Sequence, residues 1–293
     1  MIVGIDIGGS TTDAVLLDKE TIRVETLETG DPLAAAAGAL GKLLNSAGHK
    51  LTDIRAIAAS GGGSHQLADQ IFGVPVVKVP EITAIGVGGS SLAGRSDALV
   101  VSLGTGTALV SVRQDRILHL GGTGIGGGTL RGLARHCLGI TQLETLEQLA
   151  AQGDLSQIDL TVGDIAGGPV GIVPAKAVAS HFGKLQTDPS QADKALGLVN
   201  MVAWITFSLS MFAAQTRQHE HIVFTGKLTR LEAFKKRLAA LTPRRGVDFS
   251  IPPHAEYATA IGAARTVSRT AQTEGAPAEP GANPSLDFSA KRS

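Results

Sequence analysis

Cysteine is nearly absent from this chain: Cys137 stands alone. That excludes an internal disulfide, a multi-cysteine structural zinc site and a cluster held by several cysteines of one chain. Aromatic residues are scarce as well, at 3% of 293 residues, with one Trp and one Tyr. So few rings cannot build a base-stacking platform for nucleic acid. A charge excess is also missing. Lys plus Arg number 26 and Asp plus Glu 26, so no bulk field draws the chain to nucleic acid or to an anionic membrane. Met1 to Asp6 has no basic segment and runs directly into an apolar strand, which does not read as a signal peptide. The most membrane-like stretch, Ala195 to Gln215, is interrupted by Asn200, Thr206, Ser208 and Ser210 and reads as a buried core helix. The expected location is the cytoplasm.

What the chain does have is apolar residues, 43%, and 37 glycines. Its length suits two domains. Ile2–Ile7, a Gly8-Gly9 turn and Ala14–Leu17 read as a strand hairpin, with Ile22–Leu27 as a third strand. Asp31-Pro32 predicts an N-cap and first position for a helix to Ala47. Ile54–Ala59 and Val74–Val79 read as strands, with a short helix over Ser64–Phe72 between them and a small-residue helix over Thr83–Leu92. The strand–turn–strand pattern recurs at Ala98–Val112, a repeat spaced by about 95 residues, which predicts two related lobes rather than a solenoid. Helices are expected over Thr129–Leu138, Leu143–Gln152, Asp193–Arg217, Leu228–Leu241 and Tyr257–Val267, and strands over His221–Phe224 and Val247–Ile251. Gly153–Pro174 reads as a long loop. The boundaries expected are 1–95 for the first lobe, 96–267 for the second and 268–293 for a disordered tail.

The glycines gather where apolar strands end. The turns are Gly8-Gly9-Ser10-Thr11-Thr12, Gly104-Thr105-Gly106-Thr107, the cluster Gly121 to Gly128, and Thr225-Gly226. Glycine lets backbone N–H groups approach an anion closely, and hydroxyls add donors. Several such turns in a two-lobed chain predict a nucleotide site. No GxxxxGK[ST] occurs, and the first Gly pair leads into a strand, so neither a Walker A loop nor a Rossmann fingerprint is present. Asp6, at the end of the first strand, is the candidate to hold Mg²⁺ directly or through water.

These residues resemble the actin–sugar kinase–Hsp70 ATPase superfold. More narrowly, Met1 to Val267 resembles the type II pantothenate kinases. The resemblance rests on Gly4-Ile5-Asp6-Ile7-Gly8-Gly9, on Gly104-Thr105-Gly106-Thr107, on Gly121-Gly122-Thr123-Gly124-Ile125-Gly126-Gly127-Gly128, on Val223-Phe224-Thr225-Gly226 and on Ala258-Thr259-Ala260-Ile261-Gly262-Ala263. It implies an α/β, two-lobed, actin-like (ribonuclease H-like) ATPase fold with duplicated mixed sheets flanked by helices. It implies ATP and Mg²⁺ as cofactors and phosphorylation of the pantothenate hydroxyl, on the path to coenzyme A. Gly8, Gly9, Ser10, Thr11, Thr12, Gly104, Thr105, Gly106, Thr107, Gly121, Gly122, Gly126, Gly127, Gly128 and Gly226 would then hold the nucleotide. It also implies a homodimer, with the long helix around Trp204 in the interface. Whether acyl-CoA also binds is left open.

An alcohol kinase needs a carboxylate to take or orient the hydroxyl proton. Glu81 leaves a strand and opens a small-residue helix, and by resemblance it matches the family's catalytic Glu. Two positions depart from the family. Asp13 stands where many of these enzymes have Lys; as an anion it would repel phosphate, leaving binding to N–H groups, hydroxyls and Mg²⁺. His119 stands where they have an Arg that contacts substrate, and an imidazole cannot grip a carboxylate bidentately. The acceptor is thus open between pantothenate and a relative such as pantetheine.

His219 and His221 alternate along a strand with no third ligand and do not read as a metal site. Cys137 reads as a small core residue rather than a nucleophile. Two other classes compete with a kinase. An activator of radical dehydratases shares the superfold, but it needs two cysteines per subunit. A non-catalytic nucleotide or acyl-CoA sensor would have less need of Asp6 and Glu81.

Overall fold

The computed structural model describes residues 1–18, 21–241 and 246–274. The first lobe opens with β1 (Ile2–Ile7), β2 (Thr11–Asp18) and β3 (Thr21–Glu28), an antiparallel meander. Helix α1 (Pro32–Ala47) follows; the Asp31 side chain accepts from the Ala34 N–H at 2.8 Å and Pro32 fills the first turn, as expected from the sequence. Then come β4 (Ala56–Ser60), β5 (Gln70–Ile71) and β6 (Val74–Lys78), and helix α2 (Glu81–Ala93). The helix expected over Ser64–Phe72 does not form. A 3₁₀ turn over Gly62–Gln66 precedes β5, which pairs with β6. Glycines in this stretch favour turns, and the β6 edge offers Gln70–Ile71 a ladder.

The second lobe repeats the plan. An antiparallel meander of β7 (Asp97–Leu103), β8 (Thr107–Arg113) and β9 (Arg116–Thr123) leads to α3 (Gly127–Leu138) and α4 (Leu143–Ala150). The stretch read as a long loop holds a strand β10 (Leu160–Thr161) and a helix α5 (Val162–Ala166); β10 pairs with β11 (Val178–Ser180). Long helix α6 (Gln191–Arg217) precedes β12 (His221–Thr225). A 3₁₀ turn over Lys227–Arg230 separates β12 from α7 (Glu232–Ala240), so the helix expected from Leu228 starts four residues late. β13 (Asp248–Ser250) and α8 (Ala258–Glu274) close the chain. Helix α8 continues seven residues past Val267, into the stretch read as tail; the remainder of that stretch lies outside the described residues.

The duplication is explicit in the topology. The first sheet runs β3-β2-β1-β4-β6-β5 and the second β9-β8-β7-β12-β13. In each, the first strand of the meander pairs in parallel with the strand that follows the crossover, β4 or β12. Period-two alternation then sorts the side chains. Val3, Ile5 and Ile7 pack with Leu40 and Leu43 of α1, and Leu99, Val101 and Leu103 pack with Leu198, Val202 and Phe207 of α6. Helix α6 is long and apolar enough to cross a membrane, but most of its apolar window is buried against this sheet and its neighbouring helices.

Helices α2 and α8 fill the space between the two sheets. Ile85 of α2 packs on Val100 and Val110 of the second sheet. Ala260 and Ile261 of α8 pack on Val15 of the first. Helix α8 thus returns from the end of the second lobe to cover the first sheet. The two helices cross at glycine: a Cβ on Gly88 would stand 1.8 Å from the Ala258 carbonyl oxygen, and one on Gly262 would stand 1.9 Å from that of Ala84.

Candidate active site

The alternation that sends Val3, Ile5 and Ile7 into the α1 core turns Asp6 to the opposite face, toward α8, where Thr259 hydrogen-bonds its carboxylate. Asp6 there borders a cleft of about 770 Å³ between the lobes. The first lobe contributes Asp6, Gly8, Gly9, Ser10 and Thr11, and α2 contributes Glu81 at its first residue. The second lobe contributes Gly104, Thr105, Gly106 and Thr107, then Gly127, Gly128 and Gly226. The chain turns at Gly226 with φ +89°, and a Cβ there would stand 2.6 Å from the Leu103 carbonyl oxygen, so only glycine fits.

Four of the expected ligands lie elsewhere. Thr12 points to the α1 side of β2, fully buried, with its hydroxyl 2.8 Å from that of Thr29. Gly121, Gly122 and Gly126 are not among the cleft-lining residues. Gly126 instead lies against the Gly104–Thr107 turn, where a Cβ would stand 2.6 Å from the Gly106 carbonyl. The N–H groups of Gly127 and Gly128 donate to the carbonyls of Gly104 and Thr105 at 2.8 and 2.9 Å, and the Thr107 hydroxyl donates to the Ile125 carbonyl at 2.7 Å. The second glycine cluster braces the first, and those amides are spent on it. His119 sits exposed on the edge strand β9, paired in register with Val110, and does not line the cleft.

The electrostatics correct one expectation. Asp13 lies directly opposite Asp6 in the β1–β2 register and is 2% exposed. It does not face the cleft as a bare anion, because the Lys227 ammonium lies 2.6 Å from its Oδ1 and the Thr26 hydroxyl donates to the same atom at 2.6 Å. The cation comes from the second lobe, 214 residues away in sequence. Sequence reasoning missed Lys227, although a Lys directly after a strand-ending Thr225-Gly226 turn is a readable signal. Arg131, Arg230 and Glu147 also border the cleft and were not anticipated.

Even with Lys227 present, the acid side dominates. The Asp6 carboxyl is pushed up to about 7, first by burial and then by the charges of Asp13 and Glu81; Lys227 and the Thr259 hydrogen bond offset part of this. A cation would relieve that crowding, and carboxylate oxygens suit Mg²⁺. Among the described residues no group of three or more His, Cys, Asp or Glu forms a ready metal cage. Asp6 is the carboxylate that could hold such an ion, with waters and phosphate oxygens completing its shell.

The remaining candidates are structural. His219 Nδ1 lies 2.5 Å from Asp97 and Nε2 2.7 Å from the Ser111 hydroxyl, with Ser111 and His219 both buried. His221 bridges Asp248 and Ser250 in the same way. Both histidines lie at the end of β12 away from the cleft. Cys137 is exposed in the last turn of α3 rather than packed in the core.

Residues 96–242, half of the chain, match the Fumble family model. The chain belongs to the Fumble family of pantothenate kinases. As a Fumble-family member it is a kinase-type phosphotransferase. It is 28% identical over 234 residues to a "Type II pantothenate kinase" of Bacillus cereus, covering 76% of this chain and 82% of that one. Two solved structures share its fold at low identity. Component A of the Acidaminococcus fermentans (R)-2-hydroxyglutaryl-CoA dehydratase matches with a TM-score of 0.68 and 18% identity, over 92% of this chain and 98% of that one. A ROK family glucokinase from Streptomyces griseus, in complex with glucose and AMPPNP, matches at 0.54 and 17%, over 90% and 98%. The fold is therefore the two-lobed, actin-like α/β architecture of duplicated mixed sheets flanked by helices.

Proposed function

We propose that this Fumble-family chain is an ATP-dependent kinase that phosphorylates the hydroxyl of pantothenate in coenzyme A biosynthesis. The observation that carries the reading is the interlobe cleft, which brings Asp6, Glu81 and two glycine–hydroxyl turns from different lobes to one place. The Gly8–Thr11 and Gly104–Thr107 turns cradle the phosphates, with Gly226 beside them. Asp6 holds Mg²⁺, which supplies charge neutralisation at the transferring phosphoryl group. Glu81, exposed at the start of α2, accepts the proton of the acceptor hydroxyl as its oxygen bonds to the terminal phosphorus and ADP departs.

The acceptor's identity belongs to this proposal. His119, outside the cleft residues, gives no reason within one chain to prefer a relative such as pantetheine over pantothenate. A homodimer through the outer face of α6, where Trp204 is half-buried and Phe212 exposed, is part of the same reading. The test is purified protein with Mg-ATP against pantothenate, pantetheine, sugars and short acids, following ADP release and phosphorylated product. Turnover with pantothenate is the expected result. Turnover with pantetheine alone would keep the kinase and change the acceptor; nucleotide binding without turnover on any of them would make the chain a sensor.

A further inference from the structure

We infer that Lys227 is the residue that grips the nucleotide's terminal phosphates and that Asp13 is its positioning residue. The inference rests on the ATP reading above and names a residue for it. Three carboxylates, Asp6, Asp13 and Glu81, gather at one end of the cleft. A phosphate chain cannot approach them without compensating cations, since like charges at a few ångströms repel strongly where water is partly excluded. Arg131 and Arg230 border the cleft but are exposed. Lys227 is the cation set among the carboxylates, with its side chain 29% exposed.

Its placement is fixed from three sides. Gly226, at φ +89°, turns the chain so that Lys227 leaves the end of β12 toward the first lobe. The ammonium sits 4.6 Å from the centre of the Tyr257 ring, a cation–π contact on a fixed platform. Asp13, itself held by Thr26, takes a hydrogen bond from it at 2.6 Å. An ammonium has three N–H donors and Asp13 accepts one, so donors remain for a second anion. A compact point charge with rotatable donors suits phosphate oxygens. The pair also spans the lobes, so phosphates bound here would contact both through one side chain.

The test is calorimetric binding of ATP, ADP, AMP and adenosine to the wild type, Lys227→Met, Lys227→Arg, Asp13→Asn and the double variant Lys227→Met with Asp13→Asn. Loss of one charge-assisted contact is expected to weaken ATP about 10- to 100-fold in Lys227→Met, with adenosine unchanged within about twofold on the same basis. Lys227→Arg keeps the charge and should recover part of the loss. Asp13→Asn should weaken ATP in the wild-type background and add nothing once Lys227 is gone. ATP affinity in Lys227→Met within about threefold of wild type, short of the expected contact loss, would overturn the assignment. An equal loss for adenosine would overturn it too, since it would mark a collapsed cleft. Should Lys227→Met fail to fold, the wild type still decides: Tyr257 is the chain's one tyrosine, and its ring resonances should shift with ATP and not with adenosine. Wild type that binds neither ATP nor adenosine would instead sink the ATP reading itself.

Discussion

Replacing Asp6 by Asn should make the ligand-free protein more stable at alkaline pH while removing its Mg²⁺-dependent turnover. The carboxyl rises from 3.8 in the unfolded chain to about 7 in the folded one, driven first by burial and then by Asp13 and Glu81. Below pH 3.8 the group is protonated in both states. Between 3.8 and about 7 the folded protein holds a proton that the unfolded chain has released, so stability falls as pH rises. Above about 7 the full cost is in place. A difference of about 3 pH units is worth about 4 kcal/mol, and screening by water in the cleft lowers that to about 2–3 kcal/mol. Asn carries no charge and keeps an oxygen for Thr259, so the variant avoids this cost. At roughly 2–4 °C per kcal/mol for a chain of this size, the wild type should melt several degrees below Asp6→Asn at pH 8 and close to it at pH 4. The assay is thermal unfolding of both proteins in EDTA across that range. Parallel curves for the two proteins would refute the argument, because they would show that Asp6 carries no raised pKa. Mg²⁺ should reverse the effect in the wild type alone, with uptake of the ion releasing a proton near pH 7 that calorimetry in buffers of different ionisation heat would count.

Glu81→Gln should cut turnover by about 10²–10⁴-fold while ATP affinity stays near wild type; turnover within a few-fold of wild type would place the base elsewhere. Gly88→Ala should cost about 3 kcal/mol or more in urea unfolding, because its Cβ would stand 1.8 Å from the Ala258 carbonyl oxygen, backbone that cannot yield without parting α2 from α8. Asp159→Ala should cost about 2–4 kcal/mol by the same measurement. It strands the Asn200 amide, the Phe182 N–H and His181, which converge on a carboxylate 1% exposed.

Much of this molecule could be read from local pattern, for a physical reason. Strand alternation, an Asp-Pro helix start and glycine at strand ends are set by backbone geometry within a few residues. Hence the first meander, the β7–β8 hairpin, α1 and its Asp31 cap, the buried α6, and the glycine turns that border the cleft were all legible, whereas β9, which takes in Gly121 and Gly122, was not. So was Asp6 as the polar residue ending an apolar strand. The roles of Gly122 and Gly126 were not, because a glycine that admits a phosphate and one that admits a neighbouring loop look alike in sequence. Only the packing of the Gly121–Gly128 cluster under Gly104–Thr107 separates the two.

The charge logic of the cleft was likewise hidden. Asp13 read alone is an anion beside a phosphate turn. Its partner Lys227 lies 214 residues on, and no local pattern reports that separation. The parallel register of β12 with β7 sets the Thr225-Gly226 turn, and α2 and α8 hold the second sheet at a fixed place against the first. Sequence determined which residues end each strand and which face they take. Tertiary structure decided which strand ends meet, and with that whether Asp13 presents a bare anion or an ion pair, because pairing depends on what the other lobe brings within 3 Å.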